Sequence, residues 1–173
     1  VAASGASATP AAAPSSAPAA ATTVSQLAGT TVPFNGMQVA VSKNMLESLK
    51  VPEFRVAMRV ETDALDALYK RVKPKGVTMS ALLAKACGVA LAKHPIMYAA
   101  CTADGLGITY NANVNVAMAV AMPDGGLITP VLQNADQTDL YSLSRTWKDL
   151  VPRALEGKLK PDEFSTGTFT ISN

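Results

Sequence analysis

The residues that decide the reading are the last eight, Thr166-Gly167-Thr168-Phe169-Thr170-Ile171-Ser172-Asn173. Phe169 and Ile171 alternate with Thr168, Thr170 and Ser172, so a side-chain period of two puts apolar groups on one face and hydroxyls on the other. One face packs, and the other is free to meet a substrate. A row of hydroxyls is also an ordinary occupant of a solvated strand face.

Working back from that strand, residues 161–163 read as a short helical start. Leu140, Leu143, Trp147, Leu150, Val151 and Ala154 mark a helix over residues 139–156, with Thr138 or Asp139 as its cap and Gly157 as its stop. Residues 127–132 form a strand whose Pro130 argues for an edge or a bulge, reached through the turn Pro123-Asp124-Gly125-Gly126. Before it, residues 108–122 alternate Val114, Val116 and Val120 with Asn113, Asn115 and alanines, which predicts one long strand. Thr78 or Ser80 caps a helix over residues 79–93 that is apolar almost all round, the expected central buried helix.

Further upstream, Leu65, Leu68, Tyr69 and Val72 form a helical stripe that Pro74 to Gly76 ends. Residues 55–61 alternate Val56, Met58 and Val60 with Arg55, Arg59 and Glu61, the pattern of a strand with one wet face. Val41, Met45, Leu46 and Leu49 predict an amphipathic helix over residues 39–50 that Val51-Pro52 ends. Residues 1–31 hold Ala, Pro, Ser, Thr and Gly without one charge, the first being Lys43; such a stretch reads as a semi-stiff linker. No internal repeat is present.

Length and composition fit this order. With 173 residues, 49% hydrophobic and 16% charged, the chain holds one domain with a sizeable core. A net charge of +2, with the two signs interleaved, gives no concentrated positive field, so nucleic acid is not an expected partner. Cys87 and Cys101 are too few and too far apart for a disulfide framework or a zinc cluster, which points to a reducing compartment. The chain opens on Val1, which suggests upstream processing or truncation, and shows neither a signal peptide nor a membrane span.

Four phrases in order carry a resemblance: residues 37–45 (Met-Gln-Val-Ala-Val-Ser-Lys-Asn-Met), residues 76–86 (Gly-Val-Thr-Met-Ser-Ala-Leu-Leu-Ala-Lys-Ala), residues 125–131 (Gly-Gly-Leu-Ile-Thr-Pro-Val) and residues 167–173. From about Val32 to its end the chain resembles the catalytic domain of the 2-oxo acid dehydrogenase acyltransferases, in particular the plastid-type pyruvate dehydrogenase form. That resemblance implies an α/β fold, a two-layer sandwich of the chloramphenicol acetyltransferase-like type with a mixed sheet and helices on one side. It implies a catalytic domain over residues 32–173 and a tethering role for residues 1–31. The implied reaction moves acetyl from S-acetyl-dihydrolipoyl-lysine to coenzyme A, with the lipoyl group carried on a separate domain and no metal. Implied partners are further copies of the chain, as trimers building a cubic or dodecahedral core, and the pyruvate decarboxylase and dihydrolipoyl dehydrogenase components. The implied location is the plastid stroma.

Residue by residue, the resemblance makes Ser172 the hydroxyl that donates to the tetrahedral intermediate, and places Thr78 and Asn173 at coenzyme A. Thr78 reads equally well as a plain helix cap. Lys73, Lys75 and Lys85 are candidate contacts for coenzyme phosphates, or, for the first two, solvated loop charges. The family's base lies in Asp-His-Arg-x-x-Asp-Gly, a phrase absent from these residues, so an incomplete domain inactive alone is expected. His94 follows a helix and precedes Pro95, which suits an imidazole resting at a helix terminus rather than a base. Two other readings stay open: a scaffold of the complex without catalysis, and a stand-alone enzyme of the chloramphenicol acetyltransferase type.

Overall fold

The computed structural model describes residues 28–123 and 126–173, so most of the linker over residues 1–31 and the centre of the turn at residues 123–126 lie outside the described residues. The chain divides into two compact units, one ending at Ala57 and the other running Met58–Asn173. In the first, helix α1 (Gly36–Ser48) starts earlier than its apolar spacing predicts because Asn35 and Gln38 form a capping box. Asn35 Oδ1 accepts from the Gln38 amide at 2.8 Å, and Gln38 Oε1 accepts from the Asn35 amide at 2.9 Å. None of its residues is buried.

The strand expected over residues 55–61 is not formed. Among the described residues these have no ladder partner, and Val56 and Met58 are 79% and 84% exposed. Alternation fixes two faces, but a strand exists only where a neighbour supplies the hydrogen bonds.

The second unit opens with α2 (Asp63–Val72), which ends in a 3₁₀ turn and at Gly76, whose φ of +89° lies where glycine is favoured. Helix α3 (Met79–Lys93) has the expected bounds, with Thr78 as its cap and His94 at its C-terminus. It is buried on one side only: Ala81, Leu82, Ala84, Gly88 and Leu91 are covered, whereas Ala86, Val89 and Ala90 are exposed. The expectation of a helix buried all round is corrected accordingly. Strand β1 (Ala100–Cys101) pairs antiparallel with β2 (Ile108–Thr109) across the turn at Asp104-Gly105, a strand that alternation over two residues could not reveal.

The long strand expected over residues 108–122 is three pieces: β2, β3 (Val116–Met118) and β4 (Val120–Ala121). Its Asn-rich middle makes side-chain hydrogen bonds to the backbone instead of continuing the ladder, as where Asn111 Nδ2 donates to the Tyr98 carbonyl. Residues 127–132 likewise split at Thr129-Pro130 into β5 (Leu127–Ile128) and β6 (Val131–Leu132), since proline has no donor for the ladder. Helix α4 (Leu140–Leu155) follows with Asp139 accepting from the Tyr141 and Ser142 amides. The short α5 (Asp162–Ser165) leads to β7 (Phe169–Ile171).

In the three-stranded sheet the order is β6, β3, β7, with β3 antiparallel to β6 and parallel to β7, so the sheet is mixed. Its core joins Val116 and Met118 of β3 and Leu132 of β6 to Ala81, Ala84 and Leu91 of α3 and Leu143 and Leu150 of α4. A smaller cluster of Val72, Val77 and Leu82 fixes the turn between α2 and α3. The architecture is α/β, helices packed on a mixed sheet.

Candidate functional site

Strand β7 carries the candidate site. Phe169 and Ile171 are half-buried against the core, while Thr170 and Ser172 are exposed, as the alternation requires. The Ile171 carbonyl accepts from the Ala119 amide at 3.0 Å, which holds the end of the strand against the chain leaving β3. Ser172 follows at once. Among the described residues neither its hydroxyl nor the Asn173 side chain has a hydrogen-bond partner, so the donors of both are available to a ligand.

Thr168 has a different fate. Its Oγ1 accepts from the Asn115 amide at 3.0 Å and lies 3.2 Å and 3.3 Å from the carbonyls of Asn113 and Asn115. It is committed to the protein, so the free hydroxyl face begins at Thr170.

Thr78 caps α3 through Oγ1, which accepts from the Ala81 amide at 3.2 Å. Its own amide donates to the buried Ser144 Oγ at 3.2 Å, a part-buried contact that ties the start of α3 to α4. As an acceptor in the cap, the hydroxyl still has its proton to donate. No hydrogen bond joins Thr78 to Ser172 or Asn173 within the described residues.

The lysines separate. Lys85 Nζ donates to the carbonyls of Ala135, Asp136 and Thr138 at 3.2, 2.7 and 2.8 Å, which engages its three donors in closing a loop. Lys85 is therefore a structural cation, and its reading as a phosphate contact is corrected. Lys73 stands over the Tyr69 ring at 5.8 Å. His94 is exposed at the end of α3, and its carbonyl accepts from the Met97 amide. Together with Cys87 and Phe169 it lines an apolar pocket of about 210 Å³, and burial pushes the Cys87 thiol up, away from the reactive thiolate. Among the described residues no group of three His, Cys, Asp or Glu side chains is gathered to hold a metal, and no helix is long and apolar enough to cross a membrane.

One residue that alternation presented only as a polar position in a strand proves central. Asn115 is 7% exposed; its Oδ1 accepts from the Asn134 amide at 3.0 Å and its Nδ2 donates to the Thr166 carbonyl at 2.9 Å. Between Val114 and Val116, Asn115 falls on the polar face by alternation, so the sequence carried no signal of its burial.

Comparison with known proteins follows the same lines. The chain is 63% identical over 145 residues to the chloroplastic dihydrolipoyllysine-residue acetyltransferase component 5 of the pyruvate dehydrogenase complex of Arabidopsis thaliana, covering 84% of this chain and 31% of that protein. Its fold matches a dihydrolipoamide acetyltransferase of Azotobacter vinelandii, studied for the role of a serine, a histidine and an asparagine in its catalytic mechanism. The TM-score is 0.67 and the identity 31%, over 83% of this chain and 61% of that one. It also matches the cubic core of a pyruvate dehydrogenase multienzyme complex with a TM-score of 0.67 and 29% identity, over 90% of this chain and 67% of that one. Residues 26–173 match the model of the 2-oxoacid dehydrogenases acyltransferase catalytic domain, and with that match, a mixed sheet and a hydroxyl-bearing strand, the chain belongs to this acyltransferase family.

Proposed function

We propose that this chain is part of the acetyltransferase core of a plastid pyruvate dehydrogenase complex, moving acetyl from S-acetyl-dihydrolipoyl-lysine to coenzyme A. In this reading the coenzyme thiolate attacks the thioester carbonyl, the Ser172 hydroxyl donates to the oxygen that becomes negative, and collapse of the intermediate breaks the bond to the dihydrolipoyl sulfur, which leaves as a thiolate and takes up the proton the base had removed. The observation that carries it is that hydroxyl, exposed and without a partner at the end of β7 in a chain of this family. Asn173 beside it and the Thr78 hydroxyl at the start of α3 are the residues proposed to contact coenzyme A. The base that removes the thiol proton is assigned to the family's histidine phrase, which these residues do not include.

The lipoyl group arrives on a separate domain, and residues 1–31 serve as its tether to the catalytic domain over residues 32–173. Copies of the chain assemble as trimers into a larger core that binds the decarboxylase and dihydrolipoyl dehydrogenase components. The likeness to a solved cubic core supports self-assembly, and the likeness to a chloroplastic relative supports the plastid.

The test is Ser172→Ala in the full-length protein, assayed for acetyl-coenzyme A formed from S-acetyl-dihydrolipoamide. We expect kcat to fall by about 10²–10³ with the thermal midpoint unmoved, the usual cost of one lost oxyanion donor. Unchanged turnover would sink the assignment.

A further inference from the structure

Strand β7 has a register problem that its own sequence creates. It pairs with β3 through only three residue pairs, Val116 with Phe169, Ala117 with Thr170 and Met118 with Ile171. A slip by one residue would turn Phe169 and Ile171 to solvent, and the hydrophobic pattern forbids it. A slip by two keeps the hydroxyl face intact, because hydroxyls recur at Thr166, Thr168, Thr170 and Ser172, while on the other face Gly167 or Asn173 takes the place of one apolar side chain. It would nevertheless carry Ser172 about 6.6 Å along the sheet, two residues of rise. Burial opposes that slip only through the one apolar side chain it displaces, so the contacts at the start of the strand also bear on the register.

From the contacts at the start of the strand we infer that Asn115, Gly167 and Thr168 form a register lock, and that they are positioning residues for Ser172. The Thr168 amide donates to the Asn115 carbonyl at 2.9 Å, the Asn115 amide donates to Thr168 Oγ1 at 3.0 Å, and the Asn115 side chain donates to the Thr166 carbonyl at 2.9 Å. Through Oδ1 the same side chain holds the Asn134 amide at the end of β6, so the lock is anchored to the far strand of the sheet. Thr170 could replace Thr168 after a slip, so these hydrogen bonds alone do not choose the register. Gly167 does. A Cβ there would stand 3.0 Å from the Ala117 Cβ, and a two-residue shift would put Phe169 or Ser165 in that notch.

This inference rests on Ser172 being the oxyanion donor, and the experiment separates the two. In the full-length assembled protein, Thr168→Val and Gly167→Ala are compared with Ser172→Ala, and each is also combined with it, measuring kcat and the KM for coenzyme A per folded protein. We expect each lock variant to lose between about 10- and 100-fold in kcat, the scale of a displaced reacting group, with KM within about twofold. Thr168→Ser, which keeps the hydroxyl, should recover most of that loss. Added to Ser172→Ala, neither should cost more, because a residue acting only through Ser172 has nothing left to position. Undiminished kcat in both lock variants alongside a crippled Ser172→Ala overturns the lock alone, as do losses that multiply with Ser172→Ala. Intact turnover in Ser172→Ala overturns the functional reading and the lock with it.

Discussion

Arg153 holds two carboxylates, Asp149 in its own helix and Glu163 in α5, each at 2.7 Å. The Arg153 hydrogen bonds, helped by the Lys160 amide at 2.8 Å, pull the Glu163 carboxyl down to about 2 from an ordinary 4.5, while both acids push the Arg153 guanidinium up. A carboxyl held low in the fold stabilises it above its unfolded value. That stability should therefore be present above pH 4.5 and drain away as the pH falls towards 2. Thermal midpoints measured across that window should drop more steeply for the native protein than for Glu163→Gln, and parallel curves would refute the linkage. Thr78 gives a second prediction at this scale. Thr78→Ala removes the acceptor for the Ala81 amide and should cost about 1 kcal/mol in chemical denaturation. If Thr78 also meets coenzyme A, the KM for the coenzyme should rise as well; an unmoved KM would leave it a cap.

At the scale of elements, α3 and the loop over residues 134–138 approach more closely than side chains normally permit. A Cβ on Gly88 would lie 2.8 Å from the Ala135 carbonyl carbon and 2.9 Å from the Asp136 amide nitrogen, both backbone atoms that no rotamer can move. One turn earlier Lys85 draws in the carbonyls of the same loop. Gly88→Ala gains about 1 kcal/mol of helix propensity. Overpacking costs about 1–3 kcal/mol, and against rigid backbone the upper part of that range applies. The clash wins, and the variant should unfold about 1–2 kcal/mol more easily by urea titration. Lys85→Met should cost about 2 kcal/mol through its lost charged hydrogen bonds. These contacts explain which elements were legible. Helix α3 was bounded at residues 79–93 because its cap, spacing and stop are local in sequence. Strand β1 and the breaks after Thr109 and Met118 were not, because a ladder is decided by a partner far along the chain.

At the scale of the whole molecule, the buried hydrophobic residues among those described all lie between Val72 and Ala154, inside the unit Met58–Asn173. Removing the residues before Met58 should therefore change its calorimetric unfolding free energy by less than about 1 kcal/mol, the range of surface changes. A lost or broadened transition would show that the first unit supports the second. The sequence by itself determined the bounds of α3 and α4, the two faces of β7 and the position of the exposed hydroxyl, because helical period, caps and strand alternation are written in neighbouring residues, while the α/β class was implied by the family resemblance of its phrases. Only the tertiary structure decided that residues 55–61 find no ladder, that Lys85 closes a loop, that α3 leaves one side open, and that Asn115 and Gly167 hold β7 in place. Each of those depends on what a residue meets across the fold, and a chain read in order cannot show what stands opposite.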